Sequence, residues 1–313
     1  LSHGFVVDGK GLKMSKSLGN VIAPEDILKK YGADILRIWV ASSNYAEDLR
    51  IDYSILDQHS ESYRKIRNTF RYLLGNLNDN FENINFENVN PKDLPELEQF
   101  MLHKIYNLNI NFKKYFKNYD FHNLYKELLN FCTVDLSAFY FDIRKDTLYC
   151  DPKDSKKRKS TLFLLNIILE SLLKWFAPIL SFTTEEIYQL VSKKNKSIHL
   201  ESFLDFPENF KNLELNNKWI ELIKIRNSSN ISIEQKRGSK EIGSSLEADL
   251  HIKLNQKYKD LVKDIDFSEL CITSNTTISF DEKVEIDVET TKAKGEKCSV
   301  CWKISPKPCA RHN

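Results

Sequence analysis

Residues 11–20 read GLKMSKSLGN, and this stretch decides how the N-terminal part of the chain folds. The apolar run 5–7 before it predicts a short strand. After it, Pro24 suits the first position of a helix, and Gly32 predicts where that helix ends. Residues 33–42 predict a second, mostly buried helix. Two lysines, two serines and two glycines therefore lie on a loop between a strand and a helix.

The two lysines of this loop, Lys13 and Lys16, are three residues apart. Ammonium groups at this spacing can converge on one polyanion, while serine hydroxyls and backbone N–H groups add donors and glycines allow close approach. A loop of this kind can stabilise charge that develops in a transition state, which is worth roughly 10²–10³ in rate per well-placed donor. The alternative is an ordinary charged surface loop, which is the usual meaning of two lysines at this spacing.

Composition limits the class of protein. The chain has 313 residues, of which 41% are hydrophobic and 29% charged, as in globular proteins with two or more domains. The net charge is only +2, so a nucleic-acid partner would be met by local basic patches. No apolar run reaches about 18 residues, so we expect no membrane span. Position 1 is a leucine, and we expect a fragment of a longer protein.

The middle of the chain predicts helices. From about residue 54 to 193 apolar residues recur every three or four positions, which indicates an antiparallel helical bundle and a mainly α fold. The linker 78–94 is rich in asparagine and acidic residues and predicts a surface loop. Segments 121–139 and 161–180 predict single helices, and 183–194 predicts a helix that opens with threonine caps.

A small α+β unit follows. Residues 218–236 predict a helix, and segments 246–254 and 277–289 alternate apolar and polar residues as half-buried strands do. A short helix near 255–264 is expected between the strands.

The last sixteen residues hold the pairs Cys298-x-x-Cys301 and Cys309-x-x-His312. Four such ligands suit one tetrahedral zinc ion per chain, and closed four-ligand coordination makes the site structural. The alternative is three reactive thiols at a frayed end. The remaining cysteines predict small buried side chains: Cys132, Cys150 and Cys271.

The string KMSKS at 13–17 resembles the signature loop of the class I aminoacyl-tRNA synthetases. Essentially the whole chain resembles the bacterial-type isoleucyl-tRNA synthetases. The stretches that carry the resemblance are GADILRIWVAS, SYRKIRNTFRYLLGNLNDN, FCTVDLSAFYFDIRKDTLY, WFAPILSFTTEEIY, IGSSLEA and KCSVCW.

The resemblance implies roles for the loop. Lys16 contacts ATP and stabilises its pyrophosphate side during adenylate formation, and Lys13 assists. The ATP-binding residues are Lys13, Met14, Ser15, Lys16 and Ser17, with Mg²⁺ accompanying ATP. The other implied partners are L-isoleucine and isoleucine tRNA, and a cytoplasmic monomer is expected.

The resemblance also implies what lies elsewhere. The family's His-Ile-Gly-His motif, isoleucine pocket and editing domain come before the signature loop, and no such motif occurs in these 313 residues. We therefore expect this chain alone to bind tRNA without aminoacylating it.

The expected domains are the end of a Rossmann-like catalytic domain with the stem-contact region (1–53), an anticodon-binding bundle (54–215), an α+β junction domain (216–290) and a zinc-binding tail (291–313). The residues expected to contact tRNA are Arg64, Arg67, Arg71, Lys303 and Arg311. Related enzymes carry a fourth cysteine where His312 stands here, and the gap between the two pairs is short in this chain.

Two alternatives stay open. One is a stand-alone zinc-containing tRNA-binding module, which would have no use for a pyrophosphate clamp. The other is a valyl- or leucyl-tRNA synthetase, against which GADILRIWVAS and the paired-ligand tail favour isoleucine.

Overall fold

The computed structural model describes residues 2–77, 86–192 and 196–312. Its contacts divide the chain into two compact units. The first unit comprises Leu1–Asp142 and Lys156–Lys211, and the second comprises Ile143–Ser155 and Asn212–Asn313. Within the part of the chain that the structure describes, no helix is both long and apolar enough to cross a membrane.

The first unit opens with two short strands. Strand β1 (Val6–Asp8) pairs in parallel with β2 (Leu49–Ile51), and helices α1 (Pro24–Tyr31) and α2 (Ala33–Ser42) lie between them in sequence. Gly32 ends α1 with a φ of 85°, a backbone conformation that favours glycine. The predicted strand–loop–helix–helix order is confirmed.

The remaining helices of this unit confirm the mainly α prediction. They are α3 (Tyr53–Leu77), α4 (Glu96–Lys117), α5 (Phe121–Asn130), a π-helical segment (Phe131–Tyr140), α6 (Phe141–Cys150, which enters the second unit at Ile143), α7 (Lys156–Phe176) and α8 (Ser181–Val191). Two thirds of the residues of helix α7 are buried, and the Trp175 indole donates to the buried Asn109 side chain at 2.9 Å. Of the predicted linker 78–94, residues 78–85 lie outside the described residues. The remainder includes short 3₁₀ turns at Phe86–Asn88 and Pro91–Asp93.

The threonine caps predicted for α8 are wrong. The helix begins at Ser181, two residues earlier, and its N-cap residue Leu180 makes no side-chain cap hydrogen bond. The Asp34 carboxylate takes that role from α2, because it accepts from the N–H groups of Phe182 (3.3 Å) and Thr183 (2.8 Å) and from the Thr183 hydroxyl (2.6 Å). A buried carboxylate from another helix therefore satisfies the helix start.

The prediction of one helix over 121–139 needs refinement. The helical backbone runs from residue 121 to 150 but widens to π geometry between 131 and 140. There the Ser137 hydroxyl donates to the Cys132 carbonyl, five residues back, at 2.8 Å. Asp135, an acidic residue within this otherwise apolar segment, accepts from Lys104 of α4 at 2.6 Å.

The second unit places helix α9 (Leu213–Gly238) against a three-stranded sheet. Strand β3 (Ala248–Leu254) is central, parallel to β4 (Asn275–Phe280) and antiparallel to β5 (Ile286–Lys292). Short helices α10 (Lys259–Val262) and α11 (Phe267–Leu270) join β3 to β4. Alternate residues of β3 are buried, as its pattern predicts.

The chain then forms a small hairpin, in which β6 (Glu296–Lys297) pairs antiparallel with β7 (Ile304–Ser305). Gly295 precedes it with a φ of 124°, and a Cβ there would overlap the Ser305 carbonyl oxygen. Only glycine fits this close approach of two backbones.

Candidate functional site

The signature loop begins at Asp8, the last residue of β1. One Asp8 carboxylate oxygen accepts from the backbone N–H groups of Lys10 (3.0 Å) and Leu12 (2.8 Å). The other accepts from the Asn20 side-chain amide at 2.9 Å. These bonds hold the pKa of the Asp8 carboxyl below its usual value, and the bond from Asn20 lowers the pKa most.

Asn20 ties the far end of the loop back onto its start. Its amide nitrogen also donates to the Lys13 carbonyl at 3.3 Å, and its amide oxygen accepts from the Ser15 N–H at 2.9 Å. The Ser15 hydroxyl in turn accepts from the Leu18 N–H at 3.3 Å and caps a 3₁₀ turn at Lys16–Leu18. Gly19 closes that turn with a φ of 65°.

The loop leaves its two lysines free. Both are exposed, and among the residues described neither ammonium group has an ion-pair or hydrogen-bond partner. Met14 between them is half-buried against an apolar cluster that includes Ile27 and Trp39. The backbone is therefore fixed while two cations remain available for a ligand.

The four predicted metal ligands converge in the second unit. The ligand atoms of Cys298, Cys301, Cys309 and His312 all lie within 4.8 Å of one another. His312 Nδ1 is 3.5 Å from Cys298 Sγ and 3.4 Å from Cys309 Sγ, and the Cys301 and Cys309 sulfurs are 3.9 Å apart.

These distances fit tetrahedral zinc. Bonds of about 2.3 Å to sulfur and 2.0–2.1 Å to nitrogen, at tetrahedral angles, place two sulfurs about 3.8 Å apart and sulfur and nitrogen about 3.5 Å apart. The short hairpin explains the convergence, since the Cys298 N–H donates to the Lys303 carbonyl at 2.9 Å and turns the chain back between β6 and β7.

Backbone N–H groups and burial shift the pKa values of the three cysteine thiols among the predicted ligands. The N–H groups of Cys301 and Val300 lower the pKa of the Cys298 thiol to about 6, whereas burial raises the pKa of Cys301 to about 11. The N–H of Arg311 lowers the pKa of Cys309. Two of the three thiols are thus inclined toward the thiolate form that binds metal.

A further residue at this cluster, Cys150, was not predicted from the sequence. Its carbonyl lies 3.0 Å from His312 Nε2, so this ring nitrogen is the donor and Nδ1 is left to face the three sulfurs. Cys132 and Cys271 are buried as predicted, but Cys150 is only partly buried, and its thiol donates to the Val300 carbonyl at 3.6 Å.

The residues expected to contact tRNA differ in how free they are. Arg64 pairs with Glu61 at 2.5 Å, and Arg67 bonds the Tyr63 hydroxyl at 3.0 Å and lies 3.4 Å from Glu186. Arg71 is exposed on the same helix and, in the described part of the chain, has no such partner.

The residues of the tail that are expected to contact tRNA also differ in whether their charges are already paired. Arg311 forms ion pairs with Asp146 (2.5 Å) and Asp151 (2.9 Å), while Lys303 is partly exposed. Trp219 is buried in its unit, whereas Trp302 is 59% exposed.

Comparisons with known proteins agree with this arrangement. The family model for the anticodon-binding domain of tRNA ligases matches residues 98–254, and the model for class I tRNA synthetases (I, L, M and V) matches residues 1–52. A LeuRS from Agrobacterium radiobacter K84, solved in a ternary complex with tRNA and LeuAMS, superposes with a TM-score of 0.51. The match covers 67% of this chain and 24% of that one at 17% identity, so it concerns the fold alone. The class that the fold and the loop define is that of the class I tRNA ligases with an anticodon-binding domain.

Similar proteins identify a particular family within this class. The isoleucine–tRNA ligase of Pelagibacter ubique (strain HTCC1062) is 71% identical over 313 residues, covering 100% of this chain and 35% of that protein. The isoleucine–tRNA ligase of Petrotoga mobilis (strain DSM 10674 / SJ95) is 42% identical, covering 98% of this chain and 34% of that protein. The chain belongs to the isoleucine–tRNA ligase family and spans about a third of the length of these curated relatives.

Proposed function

We propose that the chain is the part of an isoleucine–tRNA ligase that runs from the ATP signature loop through the tRNA-binding bundle to a zinc-binding tail. The observation that carries this proposal is the signature loop itself, whose backbone is tied by hydrogen bonds while the ammonium groups of Lys13 and Lys16 are exposed. The whole-length similarity to isoleucine–tRNA ligases supports isoleucine as the amino acid.

In the first step an isoleucine carboxylate oxygen attacks the α-phosphorus of ATP, and the bond to the bridging oxygen breaks to release pyrophosphate. Negative charge grows on the departing pyrophosphate. Lys16 stabilises that charge, with Lys13 assisting and Mg²⁺ accompanying the phosphates. In the second step the terminal adenosine of isoleucine tRNA takes the isoleucyl group and AMP leaves.

The helical bundle and the tail supply tRNA contacts in this proposal. Basic side chains such as Arg71 position the phosphate backbone, whereas single-stranded anticodon bases are recognised by stacking and edge hydrogen bonds. The exposed Trp302 offers an aromatic ring for such stacking. The reaction requires the compartment that holds tRNA, which makes the protein cytoplasmic, and we infer that it acts as a monomer.

The tail in this proposal holds one structural zinc ion through Cys298, Cys301, Cys309 and His312, with no position left for substrate. The metal supplies folding energy where few apolar residues are available. Cys301 is the only buried residue described between 296 and 312, which supports this role.

The test is isoleucine-dependent exchange of pyrophosphate into ATP by the full-length protein and its Lys16→Ala variant. We expect the exchange kcat to fall roughly 10²–10³-fold with little change in the KM for isoleucine, because the ammonium group acts on charge formed only in the transition state.

Lys29→Ala is the matched control, because Lys29 is an equally exposed lysine on the neighbouring helix α1. An unchanged kcat in Lys16→Ala would refute the role of the loop. Exchange driven by valine or leucine better than by isoleucine would assign a different synthetase, and tRNA binding with no exchange at all would indicate a binding module.

A further inference from the structure

Two residues outside the five-residue signature, Asp8 and Asn20, hold its backbone. Together they bond four backbone groups: the N–H groups of Lys10, Leu12 and Ser15 and the carbonyl of Lys13. The two side chains also bond each other at 2.9 Å. We call this pair the Asp8–Asn20 brace.

The brace acts where the lysines are joined. Only Met14 and Ser15 separate Lys13 from Lys16, and the Asn20 amide bonds the carbonyl at one end of this connection and an N–H at the other. The Met14 side chain packs against the apolar cluster of its unit. Asn20 therefore helps to set the backbone from which the Lys13 and Lys16 side chains project, together with the bridge between Val7 and Lys13, and its orientation is fixed in turn by Asp8.

The brace makes no use of the lysine side chains themselves. Neither carboxylate nor amide contacts an ammonium group of the signature, and both lysines stay exposed. Such an arrangement positions a catalytic group while leaving its charge unpaired, which is what a clamp for developing charge requires.

We propose that Asp8 and Asn20 are positioning residues for adenylate formation, which hold Lys13 and Lys16 in the geometry that contacts the phosphates of ATP. The inference rests on the proposed function and adds two residues to it. Loss of the brace lowers the rate of activation and leaves the KM for isoleucine nearly unchanged, because the amino acid is bound elsewhere.

The experiment exchanges the two side chains. Asn20→Asp still accepts from the Ser15 N–H but sets two carboxylates against each other at the Asp8 contact. Both carboxylate oxygens of Asp8 accept hydrogen bonds, but the side chain of Asp8→Asn has only one oxygen. In one orientation its NH₂ group faces the Asn20 amide nitrogen, and in the other it faces the Lys10 and Leu12 N–H groups. We expect each single variant to lower kcat for pyrophosphate exchange by roughly 10²-fold, the scale of a misplaced catalytic group.

The double variant, Asp8→Asn with Asn20→Asp, restores the pair in reverse. The amide oxygen at position 8 accepts from the Lys10 and Leu12 N–H groups, its NH₂ donates to the carboxylate at position 20, and that carboxylate accepts from Ser15. The bond to the Lys13 carbonyl, the longest of the set at 3.3 Å, is lost, and a carboxylate oxygen faces that carbonyl instead, so the recovery should be incomplete. We expect recovery to within about tenfold of the unmodified enzyme, so the two changes are far from additive.

Hydrogen–deuterium exchange of the peptide covering residues 10–20 adds a readout of the loop itself. It should be faster in each single variant and return to normal in the double variant. Asn44→Ala is the control, because Asn44 also bonds a backbone N–H and a carboxylate, on an exposed turn away from the signature.

Single variants with normal kcat, or a double variant that recovers loop protection but no activity, would overturn the inference while leaving the proposed function intact. No isoleucine-dependent exchange in the unmodified protein would refute the proposed function, and with it the role assigned to the brace.

Discussion

His312 uses both nitrogens of its ring. Nδ1 lies within 3.5 Å of two cysteine sulfurs, and Nε2 donates to the Cys150 carbonyl at 3.0 Å. This second bond fixes the tautomer, as partners of metal-binding histidines usually do. It also raises the pKa of the His312 imidazole above its usual value. A cysteine at this position would supply a thiolate without the link to Cys150.

The first prediction follows from this geometry. The full-length protein should contain one zinc ion per chain, and His312→Ala should lose most of it on dialysis against a weak chelator, because three ligands leave the site open. His312→Cys should retain it. Elemental analysis measures the zinc content.

His251→Ala is the control, because this histidine bonds Thr277 and Ser279 on the sheet of the same unit. Full zinc in His312→Ala would remove His312 from the ligand set, and a chain without any metal would refute the site.

The sequence predicted some of these residues and missed others for a physical reason. The cysteine pairs were predictable because ligands two residues apart can wrap one edge of a tetrahedron within a tight turn. The roles of Asp8, Asn20 and the Cys150 carbonyl were not predictable, because they depend on contacts between residues far apart in sequence. Asp8 and Asn20 are 12 residues apart, and Cys150 and His312 are 162 residues apart. A carboxylate or amide in a polar loop carries no signal of its own.

Helix α2 binds the turn between α7 and α8 with two side chains one turn apart. Asp34 caps α8, while the Arg37 guanidinium donates to the carbonyls of Pro178 (2.6 Å) and Ile179 (2.9 Å), just after α7 ends. Residues three apart on a helix share a face, so both contacts come from one side of α2. The helix that follows the signature loop and α1 is thereby joined to the bundle by directed hydrogen bonds.

The second prediction concerns this contact. Asp34→Ala should lower the free energy of unfolding by about 2 kcal/mol, because it leaves the Phe182 and Thr183 N–H groups without their charged acceptor. Urea unfolding followed by circular dichroism measures the change, with Asp264→Ala as an exposed control. A loss no larger than that of the control would show that the α8 start is satisfied without Asp34.

Element types were predictable from the sequence, and element ends were less so. The three- to four-residue period specified the bundle helices because each buries one face. The start of α8 was misplaced because its cap comes from Asp34, nearly 150 residues earlier. The π geometry at residues 131–140 was missed because it leaves the apolar period almost unchanged while shifting hydrogen bonds by one residue.

The whole molecule carries almost no net charge, so the tRNA binding that we propose depends on where basic residues lie. The formal charge is +2, from 46 basic and 44 acidic residues. Many of the basic residues are paired, including Arg64, Arg67 and Arg311. Arg71 on α3 is exposed without such a partner among the residues described, and it can meet a phosphate without first breaking an ion pair.

The last prediction ranks these residues by the salt dependence of tRNA binding. Each phosphate contact contributes a slope of about −0.9 in log K against log salt for a duplex and about −0.7 for a single strand. In the full-length protein, Arg71→Ala should therefore make the slope less steep by about 0.7–0.9, which is the contribution of one phosphate contact. Arg67→Ala should have a smaller effect, because its guanidinium must leave Tyr63 and Glu186 to bind phosphate.

Arg237→Ala is the control, since this arginine pairs with Glu234 near the end of α9. Fluorescence titrations between low and physiological salt measure the slopes, and an unchanged slope in Arg71→Ala would exclude this face of α3 from the tRNA interface.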